Sequence, residues 1–571
     1  MKRLLILTIM AATQFALAGP KLAPDVPNTG GKNTLEVIIQ YKTAPTKDEL
    51  KQLGPYGQIK KLLTTINAIN TTLSLSDIQT VQKDPNVLYV SPNRPLKGTL
   101  DTTTQTVGAN LAWQFGWTGA NVGVAVIDSG ITLKNDLKNA LGATRVVYNQ
   151  SFVAGEDASD RYGHGTHVAG IIGANGADSM GAIFTRTFKG VAPGVNLINL
   201  KVLDQNGGGQ EADVIAAIQQ AIALKNTYNI RVINLSLGRP VFESYTVDPM
   251  CQAVEAAWKA GIVVVVAAGN YGRDNSLWTR GYGTIASPGN DPYVITVGAT
   301  NANGTPSTWD DKVASYSSKG PTAIDHIVKP DLVAPGNNVV SLLASTNCTL
   351  YTESPTTRVS DLSYQTTITG GTRYSDSYFR LSGTSMATPV VAGAAALLLQ
   401  KNPALSPDQV KARLMKTASK VLPQYTTGVD AWTGILYPGQ SDIFAVGAGY
   451  VNISAALNST DLVARPALSP SAVYDKTTHK VTILRDFSVV WGDSVVWGDS
   501  VVWGDVMFTA KLFNGASVVW GDSVVWGDST AAGFSVVWGD TVSLATTITA
   551  SSADDGDYDP TIDPTLDPIL P

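Results

Sequence analysis

The sequence is poor in the residues that mark disulfide scaffolds, metal centres and nucleic-acid-binding surfaces. Its 571 residues include two cysteines and four histidines, and charged residues make up 15% of the chain. Two cysteines are too few for a disulfide scaffold. A net charge of −5 with 44% hydrophobic residues matches neither a nucleic-acid-binding protein nor a disordered one. The composition therefore favours a globular chain, long enough for roughly two to four domains.

The two cysteines stand in different settings. Cys251 lies in an apolar helical pattern and Cys348 in a polar stretch, and sequence alone does not show whether their Cα atoms approach each other. A disulfide is compatible with an oxidising compartment, and a buried free thiol is compatible with the surroundings of Cys251. The sequence leaves both arrangements open, and neither flank resembles the site of an activated thiol nucleophile.

Long apolar runs are also absent. The apolar residues 4–10 follow Lys2 and Arg3 and precede Ala16-Leu17-Ala18, which is the layout of a secretory signal peptide. This run is too short to cross a bilayer, and no later run reaches about 18 apolar residues. The sequence therefore predicts a signal peptide at 1–18, no membrane span and a secreted, extracellular protein.

Residues 19–104 have the pattern of a small α+β domain. Strand patterns cover 35–41, 68–75 and 87–90, and helical patterns cover 47–66, with a break at 54–55, and 76–83. Residues 19–100 carry ten Lys or Arg against six Asp or Glu, whereas the rest of the chain is acidic. A basic segment before an acidic body suits an intramolecular partner, because opposite charges help to orient two surfaces. The polar stretch 97–106 is predicted to be a cleaved linker.

From residue 105 the pattern changes to alternating apolar strands and amphipathic helices. Apolar runs at 122–127, 195–203, 231–237 and 262–268 predict buried strands, and 211–224 and 249–260 predict helices between them. This alternation predicts an α/β fold in which helices cover both faces of a parallel sheet. Sites in such sheets lie at the carboxyl ends of strands, which is where Asp128 and Asn270 stand.

Three short motifs carry the residue types of an activated serine. They are VIDSG around Asp128, GHGTHVAG around His164 and SGTSMATPV around Ser385. A serine hydroxyl becomes a good nucleophile when an imidazole takes its proton, and a carboxylate fixes the tautomer of that imidazole. Ser385 precedes a helical pattern at 386–400, and the N-terminus of a helix favours negative charge.

Other residues of the same types have simpler interpretations. A zinc pair on a helix would need a spacing of four and a Glu, so we expect His167 to be a buried packing or hydrogen-bonding residue. Asp204 and Asp331 stand in turn-like segments, where Asp commonly bonds to nearby backbone. His326 and His479 lie outside the three motifs.

In their order and flanking residues, these motifs resemble those of the subtilisin-like serine proteases, the subtilases, over residues 107–457. The resemblance implies a secreted serine endopeptidase with a subtilisin-like catalytic domain at 105–460. It implies that Asp128 is the orienting carboxylate, His164 the general base and Ser385 the nucleophile. Asn270, at the end of AAGN, is implied as the oxyanion donor together with the backbone N–H of Ser385.

Two further segments resemble the peptide-binding segments of the family. LSLG resembles the segment that pairs with an extended protein or peptide substrate, and AAG the facing wall of the pocket. Small walls favour apolar or aromatic side chains before the cleaved bond and a broad range of substrates. A purely structural role, in which small residues allow close packing of the sheet, stays open. The residues implied in substrate binding are Ser236, Leu237, Gly238, Ala267, Ala268 and Gly269.

The resemblance also bears on maturation and metals. Subtilases carry an inhibitory propeptide, and residues 19–104 fit that role, with an independent N-terminal module as the alternative. The chemistry requires no cofactor. Structural Ca²⁺ is frequent in the family, but no complete ligand loop is recognisable in this sequence, so no metal ligand is assigned. The stretch 341–378 departs from the family core, and such loops are often cleft rims or lids.

Residues 461–571 form a repetitive and then an acidic C-terminal region. Six copies of SVVWGD begin at 488, 494, 500, 517, 523 and 535. An even period keeps Val and Trp on fixed faces of a strand, which predicts β structure, as a small solenoid or stacked hairpins; a flexible, aggregation-prone tail is the alternative. These repeats suit self-association or retention at the cell surface. Residues 553–571 hold six Asp and no basic residue, which predicts disorder.

Two other classes of function stay compatible with the sequence. One is a catalytically silent binding or adhesion protein on a subtilase scaffold, which would lack a triad or oxyanion residue, whereas all four are present. The other is a surface-display protein whose SVVWGD repeats are the main functional element.

Overall fold

The computed structural model describes most of the chain between residues 34 and 475 and short segments on either side. The described residues are 21–23, 26, 34–53, 55–64, 67–92, 102–276, 279–366, 374–429, 435–475, 480–484, 506–508, 524–526 and 548–549. The chain divides into two units, Met1–Lys97 and Gly98–Pro571. The predicted signal peptide, five of the six repeat copies and the acidic tail lie outside the described residues.

A four-stranded antiparallel sheet and two helices form the first unit. Its strand order is β2-β3-β1-β4, and each neighbouring pair is antiparallel. Side chains alternate between the two faces of a strand, so Val37 and Ile39 of β1 and Ile69 of β3 all reach one buried core with Ile78. The elements are β1 (Thr34–Tyr41), α1 (Lys47–Leu53), β2 (Ile59–Leu63), β3 (Ala68–Ser74), α2 (Leu75–Val81) and β4 (Val87–Pro92).

The helix predicted for 47–66 is wrong in its second half. Helix α1 ends at Leu53, and residues 59–63 form β2, which pairs with β3. A Cβ at Gly57 would lie 2.2 Å from a carbonyl oxygen of β3, so the chain comes too close to the sheet for a helix to continue. Pro55 also ends the helical hydrogen-bonding pattern, because it has no N–H.

Two smaller differences concern a helix start and the linker. Helix α2 begins one residue earlier than predicted, after Ser74, whose Oγ accepts a hydrogen bond from Asp77 N at 3.1 Å. Residues 93–101 of the linker region lie outside the described residues. The predicted linker does not extend to residue 106, because Thr102–Thr106 is helical, and Thr103 and Thr104 in it are buried.

The second unit begins with elements that alternate between strand and helix. In chain order they are α3 (Thr102–Thr106), α4 (Ala109–Gln114), β5 (Gly123–Asp128), β6 (Val146–Ser151), α5 (His164–Gly173), β7 (Asn196–Lys201), β8 (Gly208–Gly209), α6 (Glu211–Ala223), α7 (Lys225–Tyr228), β9 (Ile230–Leu235), α8 (Pro249–Lys259), β10 (Val263–Ala267), β11 (Ile295–Asn301), β12 (Lys312–Val313), β13 (Leu332–Pro335) and β14 (Val339–Leu342).

Its remaining elements surround one long helix, α10. They are α9 (Thr349–Glu353), β15 (Arg358–Ser360), β16 (Tyr374–Leu381), α10 (Thr384–Lys401), α11 (Pro407–Lys416), β17 (Tyr425–Val429), β18 (Leu436–Gln440), α12 (Ile443–Val446), α13 (Ile453–Asn458), β19 (Ser471–Asp475), β20 (Lys480–Leu484), β21 (Val506–Phe508), β22 (Val524–Trp526) and β23 (Ile548–Thr549).

The central sheet has the order β12-β11-β10-β9-β5-β7-β6, with β13 also paired to β11. Every pair is parallel except β11 with β12. Strands β5, β10 and β11 are buried along their whole length, and this burial explains why β5 and β10 fall in continuous apolar runs of the sequence. The predicted α/β fold with a parallel sheet is therefore confirmed.

Helices cover this sheet in two groups. Helix α10 packs on β9, β10 and β11 and against α5, whereas α6 packs against α8 and β5. All residues of α10 from Thr384 to Leu399 are buried. Small residues let it approach its neighbours closely, since a Cβ at Gly393 would lie 2.6 Å from Val191. The helices predicted at 211–224, 249–260 and 386–400 are confirmed as α6, α8 and α10.

The stretch 341–378 is anchored to the body of the second unit in its described part. It contributes α9 and an antiparallel sheet of order β14-β16-β15. The Tyr378 hydroxyl donates to Asp136 at 2.8 Å, and the rings of Tyr364 and Tyr378 pack on Phe188. These contacts give the stretch a packing role beside α5.

The boundary predicted at residue 460 falls inside the core of the second unit. Strands β19 and β20 form an antiparallel hairpin, and Ala472, Val481 and Ile483 in it belong to the core. We therefore correct the end of this folded unit to Leu484 or later. Beyond it, β22 is the Val-Val-Trp of the fifth repeat copy and pairs with β21. The structure of the other copies stays a prediction.

Both cysteines are free and buried. Cys251 Sγ donates to Asn290 Oδ1 at 3.3 Å within the core. Burial raises the pKa of both the Cys251 and the Cys348 thiol, which disfavours the thiolate that a cysteine nucleophile needs.

In the part of the chain that the structure describes, no helix has the length and apolarity to cross a membrane.

Asp331, which directly precedes β13, is the centre of a buried cluster of charges. Its carboxylate lies 2.7 Å from Lys329 Nζ and 3.2 Å from Lys411 Nζ, and all three side chains are fully buried. Thr296 N and Ser469 Oγ also donate to it, at 2.8 and 2.5 Å. Lys329 and Lys411 therefore share this carboxylate as an ion-pair partner.

We expect Asp331→Ala to lower the free energy of unfolding by about 3–5 kcal/mol, because it leaves buried cations without their counter-ion. The matched control is Asp461→Ala. It removes the 2.6 Å ion pair between Lys416 Nζ and Asp461 Oδ2, in which the Asp461 side chain is 40% exposed. That change should cost less than about 1 kcal/mol. Urea-induced unfolding followed by circular dichroism measures both, and equal midpoints for the two variants would contradict the account.

Candidate active site

Three neighbouring strands end at the same edge of the central sheet. Strand β9 lies between β5 and β10, and all three run parallel. Their carboxyl ends therefore meet, and each is followed by a residue singled out in the sequence. Asp128 ends β5, Ser236 follows β9, and Asn270 lies three residues after β10. The sheet topology brings these residues together.

Asp128 and His164 form a direct, buried pair. Nδ1 of His164 lies 2.8 Å from Oδ1 of Asp128, and both side chains are fully buried. Ser129 N donates to the same oxygen at 2.7 Å. The Asp128 contact places the proton on Nδ1, so Nε2 carries the lone pair. Nε2 makes no hydrogen bond to any described residue, which leaves it available to accept a proton.

Ser385 is the second residue of α10, whose N-cap is Gly383. Its Oγ donates to the Ser236 carbonyl at 3.2 Å, and Ser236 Oγ donates in return to the Ser385 carbonyl at 2.9 Å. These two bonds fix the start of α10 against the residue that follows β9. Negative charge that develops near Ser385 is stabilised by the N-terminal dipole of a long helix.

Asn270 is oriented by the residue before the serine. Its Oδ1 accepts hydrogen bonds from Thr384 N at 2.9 Å and from Thr384 Oγ1 at 3.0 Å. Gly269 N donates to Thr384 Oγ1 at 3.2 Å, which ties the segment after β10 to the start of α10. Because the amide oxygen is held by Thr384, the Nδ2 end of the amide is directed away from it. Thr384 lies inside the SGTSMATPV motif, but its role becomes evident only from these contacts.

The two segments implied in substrate binding face each other across a small alanine. A Cβ built on Gly238 would lie 3.2 Å from Ala286 Cβ, and one on Gly269 would lie 3.3 Å from the same atom. Gly269 also has a φ of +105°, which side chains rarely adopt. Leu237, Ala267 and Ala268 are buried beside them. Sequence analysis missed Ala286, because nothing local marks it.

The short strand β8 lies near the site and has its own backbone pairing. The ring of Tyr162 packs on Gly207, just before β8, and its centroid lies 6.4 Å from that of His164. The backbone of β8 pairs antiparallel with β23, with Ile548 opposite Gly209. This edge therefore accepts an extended segment. The surrounding sequence, DQNGGGQ at 204–210, resembles a turn and does not predict a strand.

Three alternatives to His164 and Asp128 make contacts of other kinds. His167 Nε2 lies 3.0 Å from the Val339 carbonyl, and burial lowers the His167 pKa to about 3, so this ring is neutral and structural. Asp204 accepts hydrogen bonds from Asn206 N and Gly208 N, as expected of a turn residue. Asp331 differs from the turn role expected, because it pairs with buried lysines. His479 lies outside the described residues.

The site contains no recognisable set of metal ligands. Among the described residues, no group of three or more His, Cys, Asp or Glu side chains is arranged to hold a metal ion. No ligands for Ca²⁺ are assigned. Subtilases need no cofactor for catalysis.

Comparisons with known proteins identify the family of this chain. A family model described as "Subtilase family" matches residues 119–447. Serine protease AprX of Bacillus subtilis (strain 168) is 37% identical over 435 residues, which cover 74% of this chain and 87% of that protein. Subtilisin E of the same strain is 33% identical over 430 residues, covering 75% and 89%. Subtilisin DY of Bacillus licheniformis is 36% identical over 344 residues, covering 60% and 92%. The chain therefore belongs to the subtilase family and is a serine endopeptidase of the subtilisin type.

Proposed function

We propose that this subtilase hydrolyses peptide bonds through an acyl-enzyme on Ser385, with His164 as general base and Asp128 as its orienting carboxylate. The observation that supports this most is the buried 2.8 Å contact between His164 Nδ1 and Asp128 Oδ1, with Nε2 unbonded. A base held in this tautomer by a carboxylate is ready to accept the proton of a serine hydroxyl.

In the first step, Ser385 Oγ attacks the carbonyl carbon of the substrate while its proton passes to His164 Nε2. The imidazolium that forms is stabilised by the ionised Asp128, and it then gives the proton to the leaving amine. Water attacks the resulting ester with His164 again as the base, which releases the acid and restores Ser385. In the structure the Ser385 hydroxyl donates to the Ser236 carbonyl, and in the proposed first step it donates to His164 Nε2 instead.

The negative oxygen of each tetrahedral intermediate needs donors that are in place beforehand. We assign this role to Asn270 Nδ2 and to the backbone N–H of Ser385. The bonds from Thr384 to Asn270 Oδ1 support the assignment, because they orient the amide before the substrate arrives. The N-terminal dipole of α10 acts in the same direction.

We assign substrate binding to the segments Ser236-Leu237-Gly238 and Ala267-Ala268-Gly269. An extended peptide beside the first segment would form main-chain hydrogen bonds, which tolerate many sequences. Ala286 lies between the two glycines and limits the depth of the pocket. An uncharged pocket of small residues suits apolar side chains before the cleaved bond, and hence broad hydrolysis of proteins.

We propose further that the chain is exported and made as a zymogen. The apolar stretch after Lys2 and Arg3 supports export, and the α+β fold of the first unit, with its excess of basic residues, supports a propeptide. In this proposal the first unit is the intramolecular inhibitor, and the enzyme removes it by its own active site.

Replacement of the proposed nucleophile tests the mechanism. Ser385→Ala should abolish acylation and leave only a residual rate of about 10³–10⁴ over water, from binding and the oxyanion donors. Ser382→Ala, in the same motif, is the control and should keep most of the wild-type rate. Hydrolysis of a chromogenic peptide, with circular dichroism as a check of folding, measures both. Near-normal hydrolysis by folded Ser385→Ala would exclude the mechanism.

Removal of the proposed oxyanion donor should affect turnover more than binding. We expect Asn270→Ala to lower kcat by about 10²–10³ with little change in KM, because the donor acts mainly in the transition state. Asn275→Ala, on the loop that follows, serves as the control, since Asn275 Oδ1 accepts a hydrogen bond from Arg280 N and has no role in the mechanism. A change in KM with unchanged kcat would assign Asn270 to ground-state binding instead.

Self-processing can be read from the N-terminus. If the enzyme's own site cuts the propeptide, Ser385→Ala should accumulate a form that begins near Gly19, whereas the wild-type chain should be shorter. Expression in a host without other secreted proteases, followed by intact-mass measurement, shows the difference. Identical N-termini in the two proteins would mean that another protease processes the chain.

A further inference from the structure

Asp160 is a buried carboxylate at the base of the active site that the mechanism does not use. Its side chain accepts three hydrogen bonds of normal length. Gly163 N and Ser129 Oγ donate to Oδ1 at 2.7 and 2.8 Å, and Thr166 N donates to Oδ2 at 2.8 Å. These donors come from two segments, the residue after Asp128 and the first turn of α5.

The first turn of α5 needs such an acceptor. The N-cap of this helix is Gly163, which has no side chain to accept the free N–H groups of the turn. Asp160 supplies the missing acceptor for Gly163 N and Thr166 N, and Ser129 Oγ accepts from Gly165 N at 2.8 Å. The helix that begins at His164 is thus capped from outside.

The other side of the network holds Asp128. Ser129 N donates to Asp128 Oδ1, and the Ser129 hydroxyl bridges Asp160 and Gly165 N. Lys201 Nζ donates to the Ser129 carbonyl at 2.7 Å, which holds that residue from the opposite side. Asp128 and His164 therefore both lie next to residues that are bonded to the same carboxylate.

We propose that Asp160 is a positioning residue, which holds the Asp128 loop and the His164 helix at the separation that the Asp128–His164 hydrogen bond requires. This inference rests on the proposed function. Asparagine does not replace the carboxylate, because both oxygens face donors and an amide would turn its NH₂ toward one of them. A misplacement of about 1 Å in a catalytic pair costs about 10²-fold in rate.

The test compares Asp160→Asn with Asp157→Asn in the full chain. Asp157 is on the same loop, but its side chain is 65% exposed, accepts hydrogen bonds from Ser159 and forms an ion pair with Arg161. Asp160→Asn should lower kcat by about 10²-fold, with KM within about twofold, whereas Asp157→Asn should resemble the wild type. The far-downfield NMR resonance of the His164 Nδ1 proton should shift or broaden in Asp160→Asn alone.

Ser129→Ala keeps the test decisive if Asp160→Asn does not fold. It removes the bridge between Asp160 and Gly165 N but leaves the two direct caps of α5, so we expect a folded protein with kcat lowered by about tenfold. Wild-type kcat in either folded variant would overturn the proposal, as would a loss of kcat with an unchanged downfield resonance. Labelling of wild-type Ser385 by a fluorophosphonate separates the two claims: no label would reject the proposed function itself.

Discussion

The contact between His164 Nδ1 and Asp128 Oδ1 is the interaction on which the rest of the site depends. It joins residues 36 positions apart, one at the end of a buried strand and one at the start of a helix. The parallel sheet places the end of β5 beside those of β9 and β10, so Ser236 and Asn270 arrive at the same edge. Helix α10 then brings Ser385 to that edge through its bonds with Ser236 and, through Thr384, with Asn270.

Much of the fold could be predicted because local patterns and tertiary structure agree. The buried strands β5 and β10 read as continuous apolar runs, and Asp128, His164 and Ser385 each stand in a distinctive motif. Predictions failed where pairing or packing with another segment of the chain decides the structure. Residues 59–63 form a strand because they pair with β3. The hairpin of β19 and β20 contributes to the core of the second unit, although the recognisable sequence motifs end before it.

The sequence motifs mark the groups that we propose to react, but not the groups that hold them in place. Asp160 precedes His164 by four residues in an ordinary polar loop, and its bonds to Ser129 and Thr166 are visible only in three dimensions. Ala286 has no distinctive sequence motif around it either, although it lies close to both Gly238 and Gly269. Two buried carboxylates of the second unit, Asp160 and Asp331, are each held by several donors, which offsets the cost of their desolvation.

The most direct measurement of the central claim is the site and rate of labelling by a fluorophosphonate, read by mass spectrometry in the wild-type chain and in Asp128→Asn. The account predicts a single adduct on Ser385, formed about 10⁴-fold more slowly in Asp128→Asn, because the imidazole then loses its correct tautomer. An adduct on another residue, or an equal rate of labelling in the two proteins, would contradict it.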